Sequence, residues 1–281
     1  MIDVPAGWHD ALAAVEAGAA RLVVIGGPDA GKSTFCRWLS EETAARGYAP
    51  AFLDADPGQP DVGPPACLAR RDGDRPAVLA FLGVVEPMSR RPVLLDHARA
   101  LATAPAHPLI VNTCGFIRGP GRFLQRDTAR AVGADLAVAL EPEDTLAPLR
   151  EALAPLPVLA LPRSAHVRRR SQARRRAARA AAFAAHFEGA PVLEVPREGL
   201  TLEDCGAGTV EVDRLPPRLL CGVADAAGRD VALALFLEAT EAAVRLLTPA
   251  ARVERLRLGG VVVEAEAWRD APVLPLGRAF S

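Results

Sequence analysis

A single lysine, Lys32, stands among 33 basic residues, the rest being arginine. It falls in Gly26-Gly27-Pro28-Asp29-Ala30-Gly31-Lys32-Ser33, followed by Thr34, a run that fits G-x-x-x-x-G-K-[ST]. Glycines at that spacing let the backbone curl so that successive N–H groups face a phosphate, and the start of a helix adds partial positive charge. In such a loop Lys32 reaches the β- and γ-phosphates of a nucleoside triphosphate, Ser33 binds Mg²⁺ and Thr34 assists at the α-phosphate. The alternative is a plain glycine-rich turn between strand and helix. Further on, Asp54-Ala-Asp56-Pro-Gly-Gln59 puts two carboxylates two positions apart, hence on one side of a strand. A carboxylate there can hold Mg²⁺ through water or take the proton of an attacking hydroxyl. An aspartate that only caps its own turn is the alternative for each. A third cluster is the stretch from Arg163 to Phe187, which holds eight arginines and no acidic residue. The planar guanidinium fork binds phosphate oxygens in pairs, whereas a solvated basic helix would carry the same charge with no ligand. The net charge of the chain is −1, so the residues outside that stretch sum to −9 and the positive charge is local.

These residues need elements to hold them. Trp8 to Ala20 reads as an amphipathic helix, and Arg21 to Ile25 as a buried strand leading into the glycine loop. A helix is expected from Gly31 to Arg46, then strands over Ala51–Asp54 and Val78–Val85, and a helix over Leu94–Ala104. Leu109–Thr113 and Leu136–Leu140 read as strands around a helix at Phe123–Val132, and a further helix precedes a strand at Pro157–Leu161. Alternation of this kind predicts an α/β fold with a parallel sheet flanked by helices. The arginine stretch is expected to be helical from Val167 to Phe187. Beyond Gly189 the pattern turns to strands, at Leu219–Val223, Val231–Phe236, Val253–Leu258 and Val261–Ala265, with a turn at Ala226–Arg229. The expected division is a nucleotide-binding unit over 1–195, which includes the arginine segment 163–187, and a small β-rich unit over 196–281.

Half the residues are apolar and 24% are charged, a globular balance that excludes a disordered or collagen-like chain. Five cysteines, at 36, 67, 114, 205 and 221, form no C-x-x-C pair, and they read as reduced thiols in the cytoplasm. No secretory signal pattern opens the chain and no apolar run is long enough for a membrane span. His9, His97 and His107 lack ligand spacing and are assigned no metal. Guanine-reading N/T-K-x-D motifs need a lysine outside the phosphate loop, and the chain has none, which argues against a standard GTPase.

Four blocks in order resemble the polynucleotide 5′-hydroxyl kinase family, the RNA kinases associated with pre-mRNA cleavage, tRNA splicing and ribosomal RNA processing. They are Gly26–Thr34; Asp54–Gln59 with Pro64, similar to D-x-D-x-G-Q…P; Asn112-Thr-Cys-Gly-Phe116, similar to a T-x-G-[FW] clasp; and Arg170-Ser171…Arg175-Arg176…Arg179…Phe183…His186-Phe187, similar to an R-S-x-x-x-R lid. The likeness runs over about residues 8–190. It implies transfer of the γ-phosphate of ATP to the 5′-hydroxyl of an RNA or DNA end, with Mg²⁺. It further implies Asp56 as general base, Asp54 as a Mg²⁺ or water partner, Gln59, Thr113, Gly115 and Phe116 as substrate contacts, and Arg170 and Arg175 as lid arginines. Cys114 reads as packing. The five-residue spacing of Arg170 and Arg175 separates them by ~140° on one helix, so either a helix starts between them or they face different ligands. Arg168, Arg169, Arg174, Arg176 and Arg179 are candidates for lining the backbone of an incoming strand. The early phosphate loop suggests a prokaryotic relative without the N-terminal β-domain that helps to hold adenine, which leaves GTP as an alternative nucleotide. The rival readings are an ATP-binding scaffold of an RNA-processing complex and a nucleoside or small-molecule kinase.

Overall fold

A computed structural model describes residues 3–140, 143–204 and 211–273. A 3₁₀ turn, Ala6–Trp8, leads into α1 (His9–Glu16), β1 (Arg21–Ile25), α2 (Lys32–Ala45) and β2 (Ala51–Ala55). Next come β3 (Cys67–Asp72), β4 (Val78–Phe81), α3 (Arg91–Leu101), β5 (Leu109–Thr113), α4 (Gly121–Ala131) and β6 (Leu136–Ala139). The first half of the fold is completed by α5 (Glu143–Leu153), β7 (Val158–Ala160) and α6 (Gln172–Phe187). The remainder is β8 (Val192–Pro196), β9 (Thr201–Asp204), β10 (Leu219–Ala224), β11 (Asp230–Ala239), β12 (Ala243–Leu247), β13 (Arg255–Val263) and β14 (Asp270–Pro272).

The strands β2, β5, β1, β6 and β7 lie side by side in that order and are all parallel. Their near-continuous apolar runs follow from burial on both faces. One face packs Val23, Ile25, Leu53 and Val111 under α3, α4 and α5, and the other packs Leu22, Val24, Phe52 and Ile110 under α1 and α2. Because β5 sits between β1 and β2, the loops after these three strands open at one end of the sheet. That is where an open parallel sheet takes its ligands.

The antiparallel strands β3 and β4 carry the sheet on to β11, through the Asp230–Leu79 pairing, and so to the β-rich part. There, β10, β11 and β13 form an antiparallel core with β12 and β8 beyond, around Leu219, Val223, Phe236, Leu246 and Leu256. A further cluster is shared: Cys67 and Phe81 from β3 and β4, Phe183 and Phe187 from α6, and Leu220, Leu233 and Val261 from the β-rich part.

Several boundaries differ from expectation for local reasons. The first helix stops at Glu16, and Gly18 at φ +111° turns the chain before β1. The strand expected over Val78–Val85 ends at Phe81, with Gly83 at φ +77° just beyond. The two strands expected over Val253–Leu258 and Val261–Ala265 are one, β13. Its Gly259 is not a turn residue: a Cβ there would lie 2.4 Å from the Leu220 carbonyl oxygen, so glycine permits close strand packing. The arginine segment is helical only from Gln172, because Ser171 caps the helix by accepting from the Arg174 N–H. The strands β3, β8, β9, β12 and β14 lack the long apolar runs of the central sheet and were not expected. Cys36, Cys67, Cys114 and Cys221 are buried free thiols; Cys205 lies outside the described residues. No helix among the described residues is long and apolar enough to cross a membrane.

Candidate active site

The glycine loop leaves β1 and enters α2 as the spacing predicted. Gly31, at φ +91°, supplies the left-handed step into the helix, and Asp29 adopts another at φ +59°. Lys32 is 7% exposed, and its Nζ donates to the carbonyls of Gly26 at 2.9 Å and Gly27 at 3.0 Å. The ammonium is thus held over its own loop, beside Ser33 and Thr34 on the cleft wall.

At the end of β2, the two aspartates take different parts. Asp54 is buried, and both its oxygens are occupied by protein donors. Oδ1 accepts from the Asp56 N–H at 3.1 Å and from Asn112 Nδ2 at 2.9 Å, while Oδ2 accepts from the Asp61 and Val62 N–H groups. These four bonds fill the lone-pair positions of a carboxylate and tie the turn to β5. Burial, and next the charge of Asp56, push the Asp54 carboxyl up to about 7 against those donors. Among the described residues, Asp56 uses only Oδ1, accepting from the Gly58 N–H at 3.0 Å and the Gln59 N–H at 3.1 Å. It caps its turn and lines the cleft as well. Burial raises its pKa, and Lys32, the turn N–H groups and Arg170 oppose that rise. Gln59 Nε2 donates to the Gly58 carbonyl at 2.6 Å and the Arg175 carbonyl at 3.1 Å, and its Oε1 is buried without a partner.

On β5, Asn112 lies between the two motifs: Nδ2 is 3.4 Å from Ser33 Oγ, and Oδ1 is buried without a partner. The Ser33 hydroxyl and the nearby Asp54 carboxylate are oxygen donors of the kind a hard cation takes, and Asn112 turns its NH₂ group, not its amide oxygen, toward both. Among the described residues, no group of three or more His, Cys, Asp or Glu side chains could hold a metal. Thr113 does not line the cleft; its hydroxyl donates to the Val24 carbonyl at 2.8 Å and locks β5 to β1. Gly115 meets the glycine loop so closely that a Cβ would lie 2.7 Å from the Pro28 nitrogen. Phe116 is 39% exposed and lines the cleft, which removes it from the core. Cys114 is buried against Gln125, and burial raises its thiol to about 11.

The arginine segment decides between the two spacing alternatives. Arg170 precedes the Ser171 cap and Arg175 lies in the first turns of α6, so the helix begins between them. Both turn to Asp29: Arg170 Nε donates to Oδ1 at 2.9 Å, and the Arg170 N–H and Arg175 Nη2 donate to Oδ2 at 2.9 and 2.6 Å. Burial alone would raise the Asp29 carboxyl, but these hydrogen bonds, Arg175 first, hold it at about 2. Arg179 pairs with Asp270 instead. Arg168, Arg169, Arg174 and Arg176 are exposed and have no carboxylate partner among the described residues.

Together the four segments enclose a cleft of 1070 Å³, with Lys32, Ser33, Asp56, Gln59, Gly115, Phe116, Arg170 and Arg175 on its walls. Asp54 lies beneath the cleft rather than on it. Sequence reasoning gave no role to Asn112, although a polar residue inside the buried run Leu-Ile-Val-Asn-Thr was a signal. The sequence places Asp29 among the nucleotide-binding residues of the glycine loop, and its pairing with Arg170 and Arg175 has no local signal.

Comparison with known proteins gives a consistent result. The family model described as mRNA cleavage and polyadenylation factor CLP1 P-loop matches residues 26–189. The polyribonucleotide 5′-hydroxyl-kinase of Pyrococcus furiosus is 28% identical over 194 residues, 65% of this chain and 54% of the relative. The polyribonucleotide 5′-hydroxyl-kinase Clp1 of Danio rerio is 27% identical over 192 residues, 60% of this chain and 43% of the relative. These matches span about half the length of those curated relatives. A solved structure of the wild-type Clp1p–Pcf11p complex superimposes with a TM-score of 0.73 at 14% identity, over 91% of this chain and 78% of that one.

Proposed function

Since the chain belongs to the CLP1 P-loop family, whose model matches residues 26–189, we propose that it is an ATP-dependent polynucleotide 5′-hydroxyl kinase acting on RNA or DNA ends. The observation that carries this reading is the meeting of Lys32, Asp56, Arg170 and Arg175 on one cleft. A phosphate cradle, a candidate base and a pair of guanidinium groups are what in-line phosphoryl transfer requires of a protein.

In the proposed step, Asp56 takes the proton of the 5′-hydroxyl as its oxygen bonds to the γ-phosphorus. The bond from that phosphorus to the β–γ bridging oxygen breaks, and ADP leaves with the electron pair. Asp56 suits the task because its second oxygen is not used by the turn that the first one caps. Lys32 exchanges its loop carbonyls, and Arg170 and Arg175 their bonds to Asp29, for phosphate oxygens, where the guanidinium groups offset charge on the transferring group. Gln59, with its orphaned Oε1, and the exposed Phe116 ring hold the polynucleotide end by hydrogen bonding and stacking. Gly115 keeps this wall close to the glycine loop, and Thr113 fixes the strand end that presents it.

Ser33 would hold Mg²⁺ through its hydroxyl, with Asp54, whose lone pairs are already occupied, acting through water, and Asn112 would hold the two side chains in place. When bound, the ion would supply positive charge to offset that of the phosphates. The four buried free thiols support a reducing, cytoplasmic setting.

The test is transfer of labelled γ-phosphate from ATP to matched 5′-hydroxyl RNA and DNA oligonucleotides, with Lys32→Ala alongside. Label on either strand that is lost in the variant supports the kinase, and the preferred strand defines the sugar. ATP binding without transfer to any polynucleotide would overturn it in favour of a scaffold, and transfer to a free nucleoside alone would overturn it in favour of a small-molecule kinase.

A further inference from the structure

The helix α6 carries Arg175, Arg179, Phe183 and Phe187 at intervals of four, hence along one side of the helix. The four have three different partners. Arg175 reaches Asp29 on the glycine loop. Arg179 lines the same cleft, but its Nε and Nη2 donate to the two oxygens of Asp270 at 2.8 and 3.1 Å. Phe183 and Phe187 are buried in the cluster shared with β10, β11 and β13. One helix thus begins at the phosphate loop and ends in the β-rich part.

Asp270 opens β14, and the turn before it grips the same helix. Trp268 stacks on Phe187, with ring centroids 5.6 Å apart and planes 13° from parallel. The guanidinium of Arg218 covers the Trp268 ring at 5.3 Å. Trp268 has φ +52°, a left-handed conformation that a bulky residue holds only where its surroundings impose it. The pair Arg179–Asp270 is 15% and 7% exposed. A bidentate pair at that depth fixes geometry far better than a surface ion pair does.

We propose that Asp270 is a positioning residue for the lid: through Arg179 it sets the rotation and depth of α6, so that Arg175 and Arg170 meet over the phosphate site. This rests on the kinase reading for its catalytic consequence, and gives the β-rich part a function: it is the mount of the lid.

The test uses the full chain with Asp270→Asn, Asp270→Glu and the double variant Asp270→Asn/Arg175→Ala. In Asp270→Asn, kcat should fall by about 10- to 100-fold with ATP affinity unchanged or tightened, and Asp270→Glu should restore part of it. In the Arg175→Ala background the same change should add little, because Asp270 acts through the lid arginines. Trypsin should cut native Asp270→Asn faster than wild type at the exposed Arg174 and Arg176, with the melting temperature used to confirm a folded enzyme. The proposal is overturned by a kcat loss that matches the loss of folded protein, by a loss fully additive with Arg175→Ala, or by unchanged lid proteolysis. The proteolysis reads the lid without any turnover, so an inactive wild-type protein would sink the kinase reading and leave the clamp still decided.

Discussion

Asp54 and Asp56 show how position alone separates two identical side chains. Asp54 spends both oxygens on four donors and acts as the knot of the turn, while Asp56 leaves one oxygen uncommitted beside Lys32. A general base must be ionised, and burial raises the pKa of Asp56, so activity should fall on acidification from a higher pH than a free aspartate would give. The charge of Asp56 helps to push the neighbouring Asp54 up to about 7, so Asp56 ionises first of the two, and kcat/KM should rise with pH through the raised ionisation of Asp56. Asp56→Asn should lower kcat by about 10²- to 10⁴-fold and abolish that ionisation from the profile. An unchanged profile in this variant would assign the proton to another group.

The helix α6 is the element on which the site depends most, and its two halves are held by different forces. Its first turn is fixed by the Ser171 cap and the ion pairs to Asp29, its last by apolar burial of Phe183 and Phe187. Deleting the fully buried Phe183 ring should destabilise the protein by about 3–5 kcal/mol, whereas Arg169→Ala, on the exposed approach to the helix, should change stability by less than about 0.5 kcal/mol. Denaturant unfolding of both variants checks the contrast; a mild effect of Phe183→Ala would mean that the helix end is not anchored in the shared cluster.

Over the whole molecule, charge is segregated: the stretch from Arg163 to Phe187 carries eight arginines, and the remainder sums to −9. Within the stretch, the arginines are themselves divided. Arg170, Arg175 and Arg179 have carboxylate partners and Arg163 donates to the Leu140 carbonyl, while Arg168, Arg169, Arg174 and Arg176 face solvent. An anionic strand should therefore bind with a steep salt dependence set by those four. Replacing them together by alanine should flatten the plot of log affinity against log salt by about 0.7 for each phosphate that is no longer neutralised, with ATP affinity unchanged. Equal slopes for variant and wild type would place the strand elsewhere on the surface.

The sequence by itself determined the parallel sheet, the glycine loop and the local concentration of arginine, because each is written in local terms: apolar runs, turn residues and short-range spacing. Its spacing argument also required Arg170 and Arg175 either to lie on opposite sides of a helix start or to face different ligands. Only the tertiary structure decided between these, by placing Asp29 within reach of both. The orphaned Asn112 oxygen, the saturation of Asp54 and the Arg179–Asp270 mount are likewise tertiary, since each joins residues far apart in the chain. Periodicity reports which face of an element is buried, but not which distant carboxylate will meet it there; that is fixed only when the sheet order brings the loops together.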